Sequence, residues 1–306
     1  MICYNQEQYI RTALDSVLFE EVKPYEIIIG DDFSTDGTRA ILHEYKAKYP
    51  EIIKLILNEK NIGITSNVNN ISPRATGDIV SYLSGDDWYR PYLLEKMNKK
   101  IVELGLNPNK LRFTLLPHVV IHFPDGSEGI QKNNKGILAK YSAFGSMLRK
   151  KMYTRQVGFS RALFEKWPPF QSGSEVIGPW ADLVQYSMFA QYMDEQILMD
   201  CEGAVYRAGI GITSQTKKED LERSYQAALV KIQMQNLSGE LKLSATDAHY
   251  LQFLIQCGYA KLELNYTSFI NVFCAARDVL ITDGTELFIM INEILCIIKN
   301  IVKRRL

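Results

Sequence analysis

The chain predicts an α/β fold built on a mostly parallel sheet, followed by an all-α C-terminal appendage. Three observations carry that prediction. Short β-branched runs, "EIIIGDDFSTDGT" (Glu26–Thr38) and "DIVSYLSGDDW" (Asp78–Trp88) among them, alternate with segments of helical periodicity. Both runs end in a glycine followed by two adjacent carboxylates, Asp31-Asp32 in one and Asp86-Asp87 in the other. From Lys218 onward proline is absent and long helical periodicities take over. Ligands of parallel α/β sheets collect beyond the carboxyl ends of the strands. The two acidic strand ends are therefore expected to face one crevice.

The elements follow in order. Ile10, Ala13, Leu14, Val17 and Leu18 recur at helical spacing, which predicts a helix over Tyr9–Phe19 packed on one face. Pro24 closes the linker, and Tyr25–Gly30 reads as a buried strand. Thr38–Tyr49 is helical and is stopped by Pro50; Ile52–Leu57 is the next strand, with Asn61-Ile62-Gly63 as the turn after it. Asn67–Ala75 is a short helix carrying Pro73, Ile79–Leu83 a third strand and Pro91–Leu104 a further helix. "LRFTLLPHVVIHFPDGSEGI" (Leu111–Ile130) reads as two strands joined at Pro124-Asp125-Gly126. Ile137–Trp167 is expected to be mostly helical. A loop then leads into a helix near Trp180, and the glycine-rich Tyr206–Gln215 is expected to be irregular. The division is 1–110, 111–215 and a helical 216–306, the last with roughly three or four helices.

Composition narrows the function classes. The 306 residues are long enough to bury a sizeable core, 46% are apolar, and 35 basic residues balance 35 acidic ones. Zero net charge gives no support for wholesale nucleic-acid binding. Cys3, Cys201, Cys257, Cys274 and Cys296 are widely spaced without a C-x-x-C, which reads as reduced thiols in a cytoplasmic protein. No signal peptide is visible, and no apolar run reaches the roughly 18 residues of a spanning helix.

The acidic strand end Asp31–Thr38 has a plain reading as a polar loop that caps the next helix. The second acidic pair alters the balance. Three or more carboxylates in one crevice are costly without a cation, and Mg²⁺ or Mn²⁺ bound through one or two carboxylates plus phosphate oxygens relieves the crowding.

Residues 4–90 resemble a family 2 glycosyltransferase with the GT-A fold, the inverting, nucleotide-sugar-dependent group. The resemblance rests on "CYNQEQYI", "SVLFEEVKPYEIIIGDDFSTDGT", "NEKNIGITSNVN" and "ATGDIVSYLSGDDW" in that order and spacing. It implies a GT-A domain whose residues 1–110 bind the nucleotide sugar and whose residues 111–215 bind the acceptor. By the same resemblance Tyr4 lies against the base and Asp32 hydrogen-bonds it. Asn61 and Gly63 line the nucleotide pocket, Asp86 faces the ribose, and Asp87 ligates Mg²⁺ or Mn²⁺. The family often carries a basic residue near position 62, where this chain has Ile62. The base that deprotonates the acceptor is expected at the start of a helix in the second half, where Asp182 is the first choice and Glu175 the reserve. Asp182 also reads plainly as a first-turn acid favoured by the helix dipole.

The implied reaction is inverting transfer of a sugar, a hexose or related, to a glycan or lipid-linked acceptor in bacterial surface polysaccharide synthesis. A catalytically weak nucleotide-sugar-binding partner subunit is the alternative. A nucleotidyltransferase is disfavoured, since no Gly-rich, Lys/Arg-bearing triphosphate loop follows the first strand. His118 and His122 alternate on a strand with no third ligand at metal spacing, and His43 and His249 are isolated on helices. Tyr206-Arg207 has two readings, a diphosphate contact or a surface salt bridge.

Leu287–Leu306 is amphipathic and ends in Lys303-Arg304-Arg305. It either closes a helical bundle or dimer, or lies on the inner face of a membrane with its cations on anionic lipid. The chain's first strand is also expected in the sheet interior, between those ending at Asp31 and Leu83. Only Met1–Cys3 are at hand to fill that slot, so a native reading frame starting upstream, with about five further apolar residues, is expected.

Overall fold

The computed structural model describes residues 1–133, 143–148, 158–166, 181–211, 214, 216–263, 271–272, 274–276, 278–279, 290, 294 and 297. The chain divides into two units: Met1–Ser174 with Tyr192–Gln215, and Glu175–Gln191 with Thr216–Leu306.

The first unit starts as the sequence predicts. β1 (Ile2–Cys3), α1 (Ile10–Leu18), β2 (Ile27–Asp31), α2 (Thr38–Lys48) and β3 (Ile53–Leu57) alternate, and α3 (Ile64–Ile71) runs into a 3₁₀ turn at Ser72–Arg74. The five apolar residues expected on one face of α1 are the five it buries. β1, β2 and β3 form a parallel sheet with Ile2 opposite Gly30 and Ile29 opposite Leu55. β2 is buried along its whole length, as a strand covered on both faces must be.

β1 occupies the interior position expected for it. Gly30 N–H and Asp32 N–H donate to the Met1 and Cys3 carbonyls on one side. On the other, Ile2 N–H donates to Leu83 O at 3.2 Å and Gly85 N–H to Ile2 O at 2.9 Å. At the amino ends of the neighbouring strands lies a cavity of about 290 Å³, lined in part by Ile27, Ile28, Ile79, Val80 and Leu83.

A second sheet holds β4 (Ile79–Ser81), β5 (Trp88–Tyr89), β6 (Phe113–His122), β7 (Glu128–Gln131), β8 (Gly158–Ser160) and β9 (Glu195–Arg207). Its order is β4-β8-β6-β9-β5 with β7 paired to β6. Only β6 and β9 run parallel there, so the sheet core is mixed rather than mostly parallel. The reason is local. A parallel neighbour needs a crossover of a dozen residues, whereas an antiparallel one needs only a tight turn. Phe123–Ser127 supplies such a turn between β6 and β7, with Gly126 at φ 85°. Pro117 sits inside β6 at a break in register opposite β9, and a side chain on Gly203 would collide with its ring.

Between the β4 and β6 regions of the chain, α4 (Leu93–Glu103) matches the expected Pro91–Leu104 helix. Within Ile137–Trp167, expected to be mostly helical, the described residues are mostly helical but include a short strand. They contain α5 (Ala143–Leu148), strand β8 and α6 (Arg161–Phe164). β8 has only three residues, too few for a period to register. Tyr206-Arg207, expected in an irregular segment, closes the long β9 instead.

The second unit is helical in its described residues. α7 (Ala181–Ala190), α8 (Lys218–Ser238) and α9 (Ala245–Glu263) are its long elements. Glu219 and Asp220 favour the N-terminal dipole of α8, and Gly239 ends it at φ 82°. Ser244 Oγ accepts from Asp247 N–H and donates to the Asp247 carboxylate, fixing the start of α9. Met290, Ile294 and Ile297 are helical, with Met290 and Ile297 buried. Lys303, Arg304 and Arg305 lie outside the described residues. No described helix is long and apolar enough to cross a membrane.

Two stability predictions follow from the first unit. A Cβ on Gly30 would strike the Asn67 side chain and lie 2.7 Å from Ile71 Cγ2, so Gly30→Ala is expected to cost about 1–3 kcal/mol in urea unfolding. Glu20 is 4% exposed, and its carboxylate accepts from Leu93 N–H at the start of α4. Burial raises its pKa, although backbone donors around Leu93 pull the other way. Its neutral form is thus the one the fold favours, and stability is lost as pH rises through the folded pKa. Glu20→Gln should therefore raise the thermal midpoint near neutral pH, with the gain fading by about pH 4.

Candidate functional site

The first acidic turn begins where β2 runs out. Asp31 is fully buried, and its Oδ2 accepts from Arg39 Nε at 2.5 Å and from Ser34 N–H at 3.1 Å. The Arg39 guanidinium also reaches the Asn58 carbonyl and lies over the Phe33 ring. Asp31 is consumed in holding α2 to the strand ends. Cys3 Sγ, 3.8 Å from Asp31 Oδ1, is buried beneath it, and burial followed by that carboxylate pushes the thiol pKa well up.

Asp32 holds the turn after β3. Its carboxylate accepts from Ile62 N–H and Gly63 N–H, each at 2.8 Å, and from Asn58 Nδ2 at 3.1 Å. Asn61 Oδ1 accepts from the same Gly63 N–H. Ile62, where the family often has a basic residue, contributes its backbone. Behind this turn Asn67 Nδ2 donates to Gly30 O while Asn67 Oδ1 accepts from Asn58 Nδ2. The polar residues at the ends of β2 and β3 are thus cross-linked, and Asp32, Asn61 and Gly63 come together as expected. Tyr4, 46% exposed, follows the end of β1.

The rest of that motif is a clasp. Asn5 at φ 50° and Phe33 at φ 66° are left-handed without being glycine, a cost that clusters at binding sites. Asn5 N–H donates to Ser34 Oγ, Asn5 Oδ1 accepts from Thr35 N–H, and Gln6 N–H donates to Thr38 Oγ1. Asp36 accepts from Thr38 N–H and Glu7 N–H. Burial opposes ionisation of Asp36, yet these donors outweigh it and hold the carboxyl below its usual range. The plain reading of a helix-entry cap is realised at Asp36, two residues before α2.

The second acidic turn follows β4. A Cβ on Gly85 would meet the Gln6 amide and lie 2.8 Å from Ile10 Cδ1, so a side chain there requires both to move. Asp86 and Asp87 are 9% and 2% exposed. Asp87 Oδ1 accepts from Arg207 N–H at 3.0 Å, and Arg207 Nε donates to the Asp86 carbonyl at 3.1 Å. The Arg207 guanidinium lies 4.8 Å from the Tyr9 ring centroid and 4.5 Å from that of Trp88. Gly211, at φ 85°, places its bare Cα beside Asp86, with the Cβ position 3.3 Å from Asp86 Oδ2. This role of Arg207 was missed in the sequence because β9 brings it across from more than a hundred residues away.

The crowding of three carboxylates expected from sequence is not present. Among the described residues no three His, Cys, Asp or Glu side chains form a metal cluster. Asp31 is paired with Arg39 and Asp32 is spent on the 62–63 turn, which leaves Asp86-Asp87 as the acidic pair. That pair still fits Mg²⁺ or Mn²⁺, which takes one or two carboxylates and completes its shell with phosphate oxygens and water.

The remaining candidates are placed as follows. Asp182 falls in the first turn of α7, in the second unit. Glu175 lies outside the described residues. His118 Nε2 is 3.3 Å from Asp200 Oδ1, and His122 stands edge-on to Trp88 with Nδ1 3.4 Å from Glu128.

Residues 1–107 match the family described as Glycosyl transferase family 2. Putative glycosyltransferase EpsE of Bacillus subtilis is 40% identical over 93 residues, 30% of this chain and 34% of EpsE. Putative teichuronic acid biosynthesis glycosyltransferase TuaG of the same organism is 39% identical over 100 residues, 33% of this chain and 39% of TuaG. The chain thus spans about a third of the length of the curated relatives it matches. Among solved structures, S. aureus TarS 1-349 in complex with UDP-GlcNAc superposes with a TM-score of 0.58 at 17% identity, covering 91% of this chain and 79% of that one. Mannosyltransferase PcManGT from Pyrobaculum calidifontis, in complex with GDP-Man and Mn²⁺, gives 0.53 at 15% identity, over 98% and 83%. With its two acidic turns flanking the end of β1 and its helical C-terminal extension, the chain has a fold of the GT-A type, and its first 107 residues match the family 2 glycosyltransferases.

Proposed function

We propose that this chain is an inverting glycosyltransferase that moves a sugar from a nucleotide-diphosphate donor to a glycan or lipid-linked acceptor. The observation that carries the reading is the pairing of an Asp32-held turn with a buried Asp86-Asp87 pair, at the carboxyl ends of the segments that flank β1. The first makes an edge of backbone and amide groups which, with the exposed Tyr4 that follows β1, suits a nucleoside. The second offers negative charge where a cation–diphosphate would sit. The name of TuaG, a putative teichuronic acid biosynthesis glycosyltransferase, supports a place in bacterial surface polysaccharide synthesis.

Residues 1–110 act as the donor half and 111–215 as the acceptor half. Tyr4 stacks on the base, Asp32, Asn61 and Gly63 border it, and Asp86 faces the ribose. Asp87, with Asp86 beside it, would hold Mg²⁺ or Mn²⁺. When bound, the cation neutralises charge on the departing diphosphate. Asp182 takes the proton of the acceptor hydroxyl on the face opposite the leaving group, with Glu175 in reserve. The enzyme works at the cytoplasmic side, with 287–306 serving as a peripheral membrane contact or a self-association helix.

Hydrolysis of a panel of UDP- and GDP-sugars with and without Mn²⁺ tests the donor reading. Metal-dependent release of nucleoside diphosphate is expected from the parent and not from Asp87→Asn, whose circular dichroism should match the parent. Undiminished activity in that variant sinks the assignment. For the base, Asp182→Asn should leave donor affinity nearly unchanged and lower turnover by roughly 10²–10⁴. If Glu175→Gln is the crippling change and Asp182→Asn is not, the reserve residue is the base.

A further inference from the structure

We propose that Arg207 is a positioning residue for the cation site, locking the Asp86-Asp87 turn in place rather than reaching for the donor. The proposal rests on the donor reading above. It starts from what the side chain already does. Nε is spent on the Asp86 carbonyl, and the guanidinium lies near two rings, Tyr9 at 4.8 Å and Trp88 at 4.5 Å. A side chain stacked in this way has given up the rotamer freedom that a phosphate-seeking arm would use. It is also not the surface ion pair that its sequence position allowed.

Three distant segments meet at this one residue. Tyr9 immediately precedes α1, Trp88 opens β5 directly after Asp87, and Arg207 ends β9. The Arg207 backbone N–H fixes one oxygen of Asp87, so the same residue holds the carboxylate of Asp87 and the main chain of Asp86. The turn itself has no helix to stiffen it and rests on Gly85, packed against Gln6 and Ile10. The far side of the acidic pair is therefore kept in register by the end of β9. Lysine retains the charge but has neither the planar face nor the Nε geometry, so it separates positioning from charge balance.

Mn²⁺ binding, read from the loss of the free-ion EPR signal with Mn²⁺ alone and with added UDP or GDP, tests this. Parent, Arg207→Gln, Arg207→Lys and Tyr9→Leu are compared, with Arg112→Gln as a control that removes a surface pair with Asp194. Positioning predicts that both Arg207 variants raise the Mn²⁺ dissociation constant by about tenfold or more with unchanged circular dichroism. Tyr9→Leu should move it in the same direction, and the control should not. Parent-like affinity in Arg207→Lys overturns the proposal, because charge alone then suffices. Should the Arg207 variants fail to fold, Tyr9→Leu decides, and unaltered affinity there overturns it. A parent that binds no Mn²⁺ under any of these conditions overturns the metal reading together with this one, whereas a binding parent with indifferent variants removes this proposal alone.

Discussion

The hydrogen bonds on both sides of β1 are the constraint on which the site depends. Two residues of strand pair with β2 through Gly30 and Asp31 and with the chain at Leu83–Gly85 on the other side. That arrangement sets the register between the two acidic turns. Were Ile2 to slip by one residue, Gly30 and Gly85 would lose the partners that let their backbones approach so closely, and Tyr4 would no longer follow the strand end between the two turns. Each of these glycines faces a side chain from another segment, Asn67 and Gln6 respectively. The close packing that builds the crevice floor is therefore specified from both directions.

The carboxylates at these strand ends look alike in sequence and differ in role. Asp31 is balanced by Arg39, Asp32 by three N–H donors, Asp36 by the entry to α2, and the Asp86-Asp87 turn is bound to Arg207. Buried acids persist only where hydrogen bonds or opposite charge replace water. Here the replacement is local and different for each one, and the first turn is held by protein groups alone.

The first hundred residues were largely legible because their signals are periodic and local. Ile10 to Leu18 spell a one-faced helix, and the strands ending at Asp31 and Leu57 are β-branched runs closed by turn residues. Beyond that, legibility fell where structure is made by distant partners. β5 and β8 have two and three residues, and β9 is a strand whose order comes from lying against β6. The site divides in the same way. Tyr4, Asp32, Asn61, Gly63, Asp86 and Asp87 stand in short motifs, but nothing local to Arg207 announces that it packs on Tyr9 and Trp88. The expected carboxylate crowding failed for a related reason: adjacency in sequence does not reveal that Arg39 pairs with Asp31.

The burial of Cys3 has a consequence for the chemistry the crevice can tolerate. Its sulfur lies at the end of β1 under Asp31, where the thiolate is strongly disfavoured. Thiolate is the form that alkylating agents and peroxide attack, so the end of β1 carries a sulfur that resists both. Oxidative damage to this protein would begin instead at a thiol such as Cys274, which is exposed and belongs to the helical unit.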